Sequence, residues 1–235
     1  MARQVAVRAE PQLELKYLLP QSRAPFAKAW LASVVRPERE YPPALVITTY
    51  YDTPRLELLD EKIDSDYLKT KVRVRWYGPL DRGPATGPVF AECKLREGAT
   101  RDKQRVVAHV RPADLESLPL SAPLWPALLD GLRREVPELP ADLAPVMQVI
   151  YARDRFTDAS PARIALDTDI SVVAVNPEQL SCPPRADSLP WAVFEYKGRG
   201  GDLPARLAPV TRLGARRFAF SKYLACYEHV TRRIA

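Results

Sequence analysis

The chain has 235 residues, 46% of them hydrophobic and 27% charged, which is ample for a packed core and excludes a disordered polymer. Thirty-five basic against 29 acidic residues leave a formal charge of +6, which fits an anionic partner without choosing among nucleic acid, lipid headgroups and phosphates. Cys93, Cys182 and Cys226 are too few and scattered for a disulfide framework or zinc knuckle, and no apolar run approaches the roughly 20 residues of a membrane span.

Taken in chain order, residues 1–11 lack the apolar centre of a secretory signal, so a cytoplasmic setting is expected. Eight strand-like runs then follow at 12–18, 45–51, 70–77, 89–95, 103–110, 146–157, 162–175 and 191–197, each ended by proline, glycine or charged punctuation. Helices are expected at 22–34, with Phe26, Trp30, Leu31 and Val34 on one side, near 56–61, and at 124–136 and 215–232. Strands outnumber helices and few strand-helix-strand units repeat, so the class is α+β with a mainly antiparallel sheet. Twenty-four prolines against nine glycines stiffen the loops, and the proline clusters at 112–145 and 177–190 read as connections within one domain spanning 1–235, with its core at about 12–230.

The third run carries the strongest signal. Lys69, Lys71, Arg73 and Arg75 alternate with Thr70, Val72, Val74 and Trp76, so a strand sets four cations on one face. Like charges so close repel unless anions sit between them. Three Glu-x-Lys steps recur on other strands, at Glu14-Leu15-Lys16, Glu92-Cys93-Lys94 and Glu195-Tyr196-Lys197, and charges also alternate at Arg101-Lys103-Arg105, Tyr151-Arg153-Arg155 and Arg163-Asp167-Asp169. An eight-stranded sheet curled with these faces inward is a closed barrel with a wet, ionic lumen and flanking helices outside. Such a lumen admits a slender polyanion such as a phosphate chain, but not duplex nucleic acid.

These pieces resemble the VTC domain, the polyphosphate polymerase module within the triphosphate tunnel (CYTH-like) group. In order they are Glu14-Leu-Lys16-Tyr17, Thr49-Tyr-Tyr-Asp52-Thr53, Lys71-Val-Arg73-Val-Arg75-Trp76-Tyr77 and Phe90-Ala-Glu92-Cys-Lys94. Then come Tyr151-Ala-Arg153-Asp-Arg155-Phe156, Arg163 to Asp169, Phe194-Glu195-Tyr-Lys197 and Phe220-Ser221-Lys222-Tyr223. The resemblance implies a metal-dependent enzyme that moves the terminal phosphate of a nucleoside triphosphate such as ATP onto inorganic polyphosphate. Lys16, Arg73, Arg75, Lys94, Lys103, Arg153, Arg163 and Lys222 are then the phosphate ligands, with Ser221 and Tyr151 adding hydroxyls. Glu195 is the principal ligand of Mn²⁺ or Mg²⁺, with Lys197 beside it and Glu14 and Glu92 as supporting carboxylates. Lys71 and Arg155 project into the same space by alternation. Arg73, Arg75, Lys222 and Glu195 carry the catalytic expectation.

Where the wider group opens with Glu-x-Glu-x-Lys, this chain has Gln12-Leu13-Glu14-Leu15-Lys16, one carboxylate fewer, which counts against a two-metal hydrolase. An inorganic triphosphatase of the same fold and a non-catalytic polyphosphate-binding module remain alternatives. An accessory or membrane partner protein fits a family with many members in membrane complexes, and the basic faces lack the aromatic interleaving of a nucleic-acid platform. His109 and His229 sit near no nucleophile, Gly198-Arg199-Gly200-Gly201 reads as a turn rather than a P-loop, and Asp167 and Asp169 are weaker metal candidates.

Overall fold

The computed structural model describes residues 13–64, 67–98, 100–158, 162–199 and 202–231. Parts of the expected first strand (Gln12), turn (Gly200, Gly201) and last helix (Arg232), and residues 1–11, lie outside the described residues. All eight expected strands are present: β1 (Leu13–Pro20), β3 (Ala44–Asp52), β4 (Leu68–Gly78), β5 (Val89–Glu97), β6 (Thr100–Ala108), β7 (Ala144–Thr157), β8 (Arg163–Val175) and β9 (Trp191–Gly198). Two-residue strands β2 (Arg36–Pro37) and β10 (Arg216–Arg217) join them.

Every pairing is antiparallel, in one ten-stranded sheet ordered β10-β1-β9-β8-β7-β3-β4-β5-β6, with β2 beside β7. The expected eight-stranded closed barrel is therefore corrected to a curled open sheet. The reason lies at β1. Its outer edge pairs with β10 through Tyr17–Arg217 and Leu18–Arg216, and Phe218 N–H donates to the Lys16 carbonyl at 3.0 Å. That stretch of the β1 edge is thus taken, and β6 forms no ladder with β1 among the described residues.

The curl is still tight enough for β1, β3, β4, β5, β7 and β9 to contribute side chains to one small cavity. Alternation sorts the two faces of each strand. On the convex side Val72, Val74, Trp76, Ala91 and Cys93 pack under helices α4 (Leu124–Ala127) and α5 (Asp130–Glu135), around the buried Trp125. Farther along, Leu15, Tyr17, Ile164, Leu166 and Phe194 pack under α1 (Ala24–Val34). The buried face of α1 is Ala24, Ala27 and Leu31 rather than the expected row through Phe26, which is exposed. Small alanines let the helix approach the sheet. The expected helix over 124–136 is two short ones, and α3 (Pro112–Glu116) adds a turn where only a connection is expected.

Helix α6 (Lys222–Thr231) departs most from expectation. Rather than flanking the barrel, it fills one end of the concave face, where Tyr223, Cys226 and Val230 pack with Tyr50, Val149, Tyr151 and Val193. It begins only at Lys222, because Gly214 in the left-handed region (φ +83°) and the β10 pairing hold the preceding residues extended. Tyr223 stacks on Tyr50 at 5.0 Å and its hydroxyl donates to Asp52 Oδ2 at 2.8 Å. The buried Asp52 carboxylate also accepts the backbone N–H groups of Thr53, Leu58 and Leu59, the last two from the start of α2 (Glu57–Asp64).

One carboxylate thus caps α2 and anchors α6. Asp52→Ala strands several buried donors and is expected to cost about 3 kcal/mol, against about 1 kcal/mol for Tyr223→Phe, which removes a single hydrogen bond. Urea denaturation of both variants checks the ratio; equal losses would mean that Asp52 serves α6 alone.

Candidate functional site

Along β4 the side chains of Lys71, Arg73 and Arg75 enter the lumen between residues of the convex core. Register sets Arg73, Glu92 and Arg105 in one row across β4, β5 and β6. Glu92 is fully buried and holds three cations: Arg73 Nε reaches Oε2 at 2.7 Å, Arg105 Nε reaches Oε1 at 2.5 Å, and Lys103 Nζ is 3.0 Å from Oε1. Burial alone pushes this carboxyl up, but Arg73, Arg75 and Lys103 together bring it well below the usual range. Both oxygens are occupied and Glu92 lines neither cavity of the lumen, so its expected place beside a metal becomes that of a clamp for Arg73.

Asp167 is the second clamp. Arg153 Nε and Nη2 donate to its two oxygens at 2.6 and 2.7 Å, and Lys222 Nζ donates to Oδ2 at 2.5 Å. Burial opposes ionisation here too, yet Arg153 and Lys222 hold the carboxyl down at about 2. Being fully enclosed, Asp167 is a positioning group and not the metal ligand weighed from sequence. Asp169 accepts from Gln21 at 2.9 Å and is exposed, away from the lumen.

On the adjacent strands β1 and β9, register opposes Glu14 to Lys197 and Lys16 to Glu195. Lys16 Nζ lies 2.9 Å from Glu14 Oε1, and Lys197 Nζ lies 2.6 Å from Glu195 Oε1 and 3.9 Å from Glu14 Oε2. Desolvation would raise Glu195, but Lys197, Arg153, Lys16 and Lys222 outweigh it and keep the carboxyl ionised well below its ordinary value.

Of the cations that line the inner part of the lumen, three have no carboxylate partner among the described residues. Arg75 is buried and donates only to the Thr48 hydroxyl at 2.9 Å, Lys71 only to the Ser221 hydroxyl at 3.2 Å, and Lys94 makes neither an ion pair nor a hydrogen bond. Burial, then the charges of Lys16, Arg73 and Lys94, drives the Lys71 ammonium far below its ordinary value, while burial with Arg73 and Lys197 brings Lys94 down to about 8.

The lumen has two compartments. An inner cavity of about 100 Å³ is lined by eight cations against two carboxylates, Glu14 and Glu195. A wider one of about 680 Å³ shares Glu14, Lys16, Lys71, Lys94 and Lys197 with it and opens between β1 and β4–β6. Of the residues expected from sequence, Lys16, Lys71, Arg73, Arg75, Lys94, Tyr151, Arg153, Lys197, Ser221, Lys222, Glu14 and Glu195 come together around the inner cavity. Lys103 lines the wider one. Arg163 is exposed at the start of β8, and Arg155 donates to the Pro42 carbonyl at 3.3 Å; neither lines either cavity. Sequence reasoning missed Arg96 and Lys62 in the wider cavity, and placed Arg101 on an inward strand face without giving it a role. Arg96 and Arg101 were legible as the next alternate positions beyond Lys94 and Lys103, whereas Lys62 comes from α2 and carries no such signal.

No group of three or more His, Cys, Asp or Glu residues gathers among the described residues. The fit to a divalent metal therefore rests on Glu195 and Glu14, two ionised hard-oxygen donors in the same cavity. Mg²⁺ and Mn²⁺ commonly take one or two carboxylates and complete their shell with substrate phosphates and water, so the donor set fits a metal that arrives with a phosphorylated ligand.

A sequence model described as the VTC domain matches residues 12–231. No curated protein matches in sequence. Among solved structures, an adenylyl cyclase candidate from Hippeastrum with a dominant triphosphatase activity superposes with a TM-score of 0.54 at 12% identity, covering 94% of this chain and 97% of its own. A Pyrococcus horikoshii protein does so at 0.50 and 13% identity, covering 92% and 99%. Both show the same fold. Among the described residues no helix is long and apolar enough to cross a membrane.

The lysines generate a pH prediction. With Lys94 brought down to about 8, its ammonium gives up a proton as pH rises through about 8, and a bound polyanion favours the charged form. Inorganic triphosphate is expected to bind more weakly as pH rises through about 8. At pH about 8.5, calorimetry in two buffers of different ionisation enthalpy should show the wild type taking up more protons on binding than Lys94→Met. Identical proton counts would remove Lys94 from the binding region.

Proposed function

As the chain belongs to the VTC domain family, we propose that it is a polyphosphate polymerase-type phosphotransferase, moving the terminal phosphate of a nucleoside triphosphate onto a polyphosphate chain. The observation that carries this reading is the set of cations without carboxylate partners, the half-buried Lys71 and Lys94 and the buried Arg75, around a cavity of about 100 Å³ in which eight cations face two carboxylates. A plain structural ion network would neutralise them, because uncompensated buried charge is costly.

The chemistry follows from what each side chain offers. In the transfer, a terminal oxygen of the polymer attacks the outermost phosphorus as its bond to the bridging oxygen of the nucleotide breaks; nucleoside diphosphate leaves and the polymer gains one unit. Such a transfer needs position and charge neutralisation more than a covalent nucleophile. Arg73 and Arg153 are pre-oriented by Glu92 and Asp167, so their free N–H groups meet equatorial oxygens with little ordering cost. Arg75 lines the same cavity. Lys222, held by Asp167, and the hydroxyls of Ser221 and Tyr151 complete the shell. Glu195, with Glu14, would hold Mn²⁺ or Mg²⁺, which when bound withdraws charge from the phosphate oxygens. Lys197 and Lys16 occupy these carboxylates in the meantime and keep them ionised.

Purified protein with ATP and Mn²⁺ or Mg²⁺ is expected to make long polyphosphate, resolved from free phosphate on a gel. Glu195→Gln should abolish the product, and Arg75→Ala should lower kcat by about 10²- to 10³-fold, as for loss of one transition-state donor. Phosphate released from triphosphate with no polymer would replace this reading by a triphosphatase. Tight polymer binding with no turnover would replace it by a binding module.

A further inference from the structure

Glu14, Lys16, Glu195 and Lys197 form a checkerboard on β1 and β9. Register sets Glu14 opposite Lys197 and Lys16 opposite Glu195, so each carboxylate has one lysine two residues along its own strand and another across from it. All four residues line the inner cavity, and all but Glu195 also line the wider one. The two lysines are held differently. Lys16 Nζ lies 2.9 Å from Glu14 Oε1 and also donates to the Phe220 carbonyl at 3.4 Å. Lys197 Nζ lies 2.6 Å from Glu195 Oε1 and 3.9 Å from Glu14 Oε2, within reach of both carboxylates at once. One ammonium thus sits where a cation shared by Glu14 and Glu195 would have to sit. The Glu195 side chain is buried, whereas that of Lys197 is 30% exposed and has room to leave toward the wider cavity.

A divalent ion and the Lys197 ammonium therefore compete for one place. Metal entering alone adds two charges to a cavity of eight cations and drives the ammonium off the carboxylates that compensated it, so it is opposed twice. Metal entering with a polyphosphate meets neither obstacle. Its charge matches that of the two carboxylates, and the displaced ammonium finds phosphate oxygens in the wider cavity that it already lines. Lysine suits such an exchange, being a point charge on a flexible stem, whereas the arginines on Glu92 and Asp167 are fixed through Nε. We propose that Lys197 is a resident stand-in for the metal, held between Glu195 and Glu14 until a divalent cation enters with its polyanion and then passed to a phosphate oxygen. The lumen accordingly takes the complex of metal and polyanion and refuses free metal. This inference rests on the proposed function for its metal and polyanion, but not on the reaction's direction.

Two titrations of the full chain test the exchange. The first follows free Mn²⁺ by its electron paramagnetic resonance signal, with no phosphate present. Lys197→Met is expected to bind Mn²⁺ about 5- to 150-fold more tightly than wild type, the span of a typical coupling between two ligands. Lys94→Met removes a charge from the same cavity without releasing a carboxylate, and an equal gain there overturns the exchange by showing that only net charge counts. The second titration is calorimetry with inorganic triphosphate, in metal-free buffer and again in excess Mn²⁺. Mn²⁺ should raise triphosphate affinity by a larger factor in wild type than in Lys197→Met, because only the wild type has an ammonium to hand over; chelation in solution is common to both proteins and cancels. Lys197→Gln should repeat both results. Equal factors in the second titration, or no gain in Mn²⁺ affinity in the first, overturn the exchange and leave the proposed function standing. A wild type that binds triphosphate in neither buffer ends the proposed function and the exchange with it.

Discussion

Charge imbalance governs this molecule. The inner lumen gathers eight cations around two carboxylates, and such an arrangement survives folding only if the repulsion is managed. Two carboxylates just outside the cavity do this. Glu92 holds Arg73, Lys103 and Arg105, and Asp167 holds Arg153 and Lys222. Each neutralises part of the charge from behind and turns the remaining donors of its arginine toward the lumen. Removing either would leave several buried cations facing one another, so these acids hold up the site without standing in it.

The strand faces were legible because alternation survives any curvature of the sheet: Val72, Val74 and Trp76 are in the outer core and Lys71, Arg73 and Arg75 in the lumen, as the ladder predicts. Partners were not legible. Glu92 and Glu195 sit in the same Glu-x-Lys setting, yet register gives Glu92 an arginine on each side, whereas Glu195 meets Lys16 on β1 and Ala165 on β8. Cross-strand register depends on turns and bulges far from either residue, including the irregularities in β7 that set where Arg153 meets Asp167. The same limit explains α6. Helical periodicity reports that Tyr223, Cys226 and Val230 share a face, but not whether that face meets the convex or the concave side of the sheet.

The open seam has the same origin. A two-residue strand such as β10 has no periodicity to detect, yet with Phe218 it takes up the edge of β1 that would otherwise close on β6. The wider cavity is lined from both sides of that seam, by Arg217 and Phe218 on one and by Arg101 and Lys103 on the other. A fully paired barrel of eight strands holds little more than its own side chains. Leaving one seam unpaired widens the lumen where an extended anion would need to enter and leave.

Along that route the cations are graded by how firmly they are held. Lysines dominate the wide cavity, and Lys71 and Lys94 touch at most a hydroxyl. Deeper in, Arg73 and Arg153 are fixed by buried carboxylates. Lysine offers a point charge on a flexible stem, which suits a chain sliding past, whereas a clamped guanidinium favours one orientation of one phosphate. Attraction without fixed geometry at the mouth and fixed geometry at depth is the order in which a phosphate chain would have to meet them if it is to be drawn in and then held at a single reacting position.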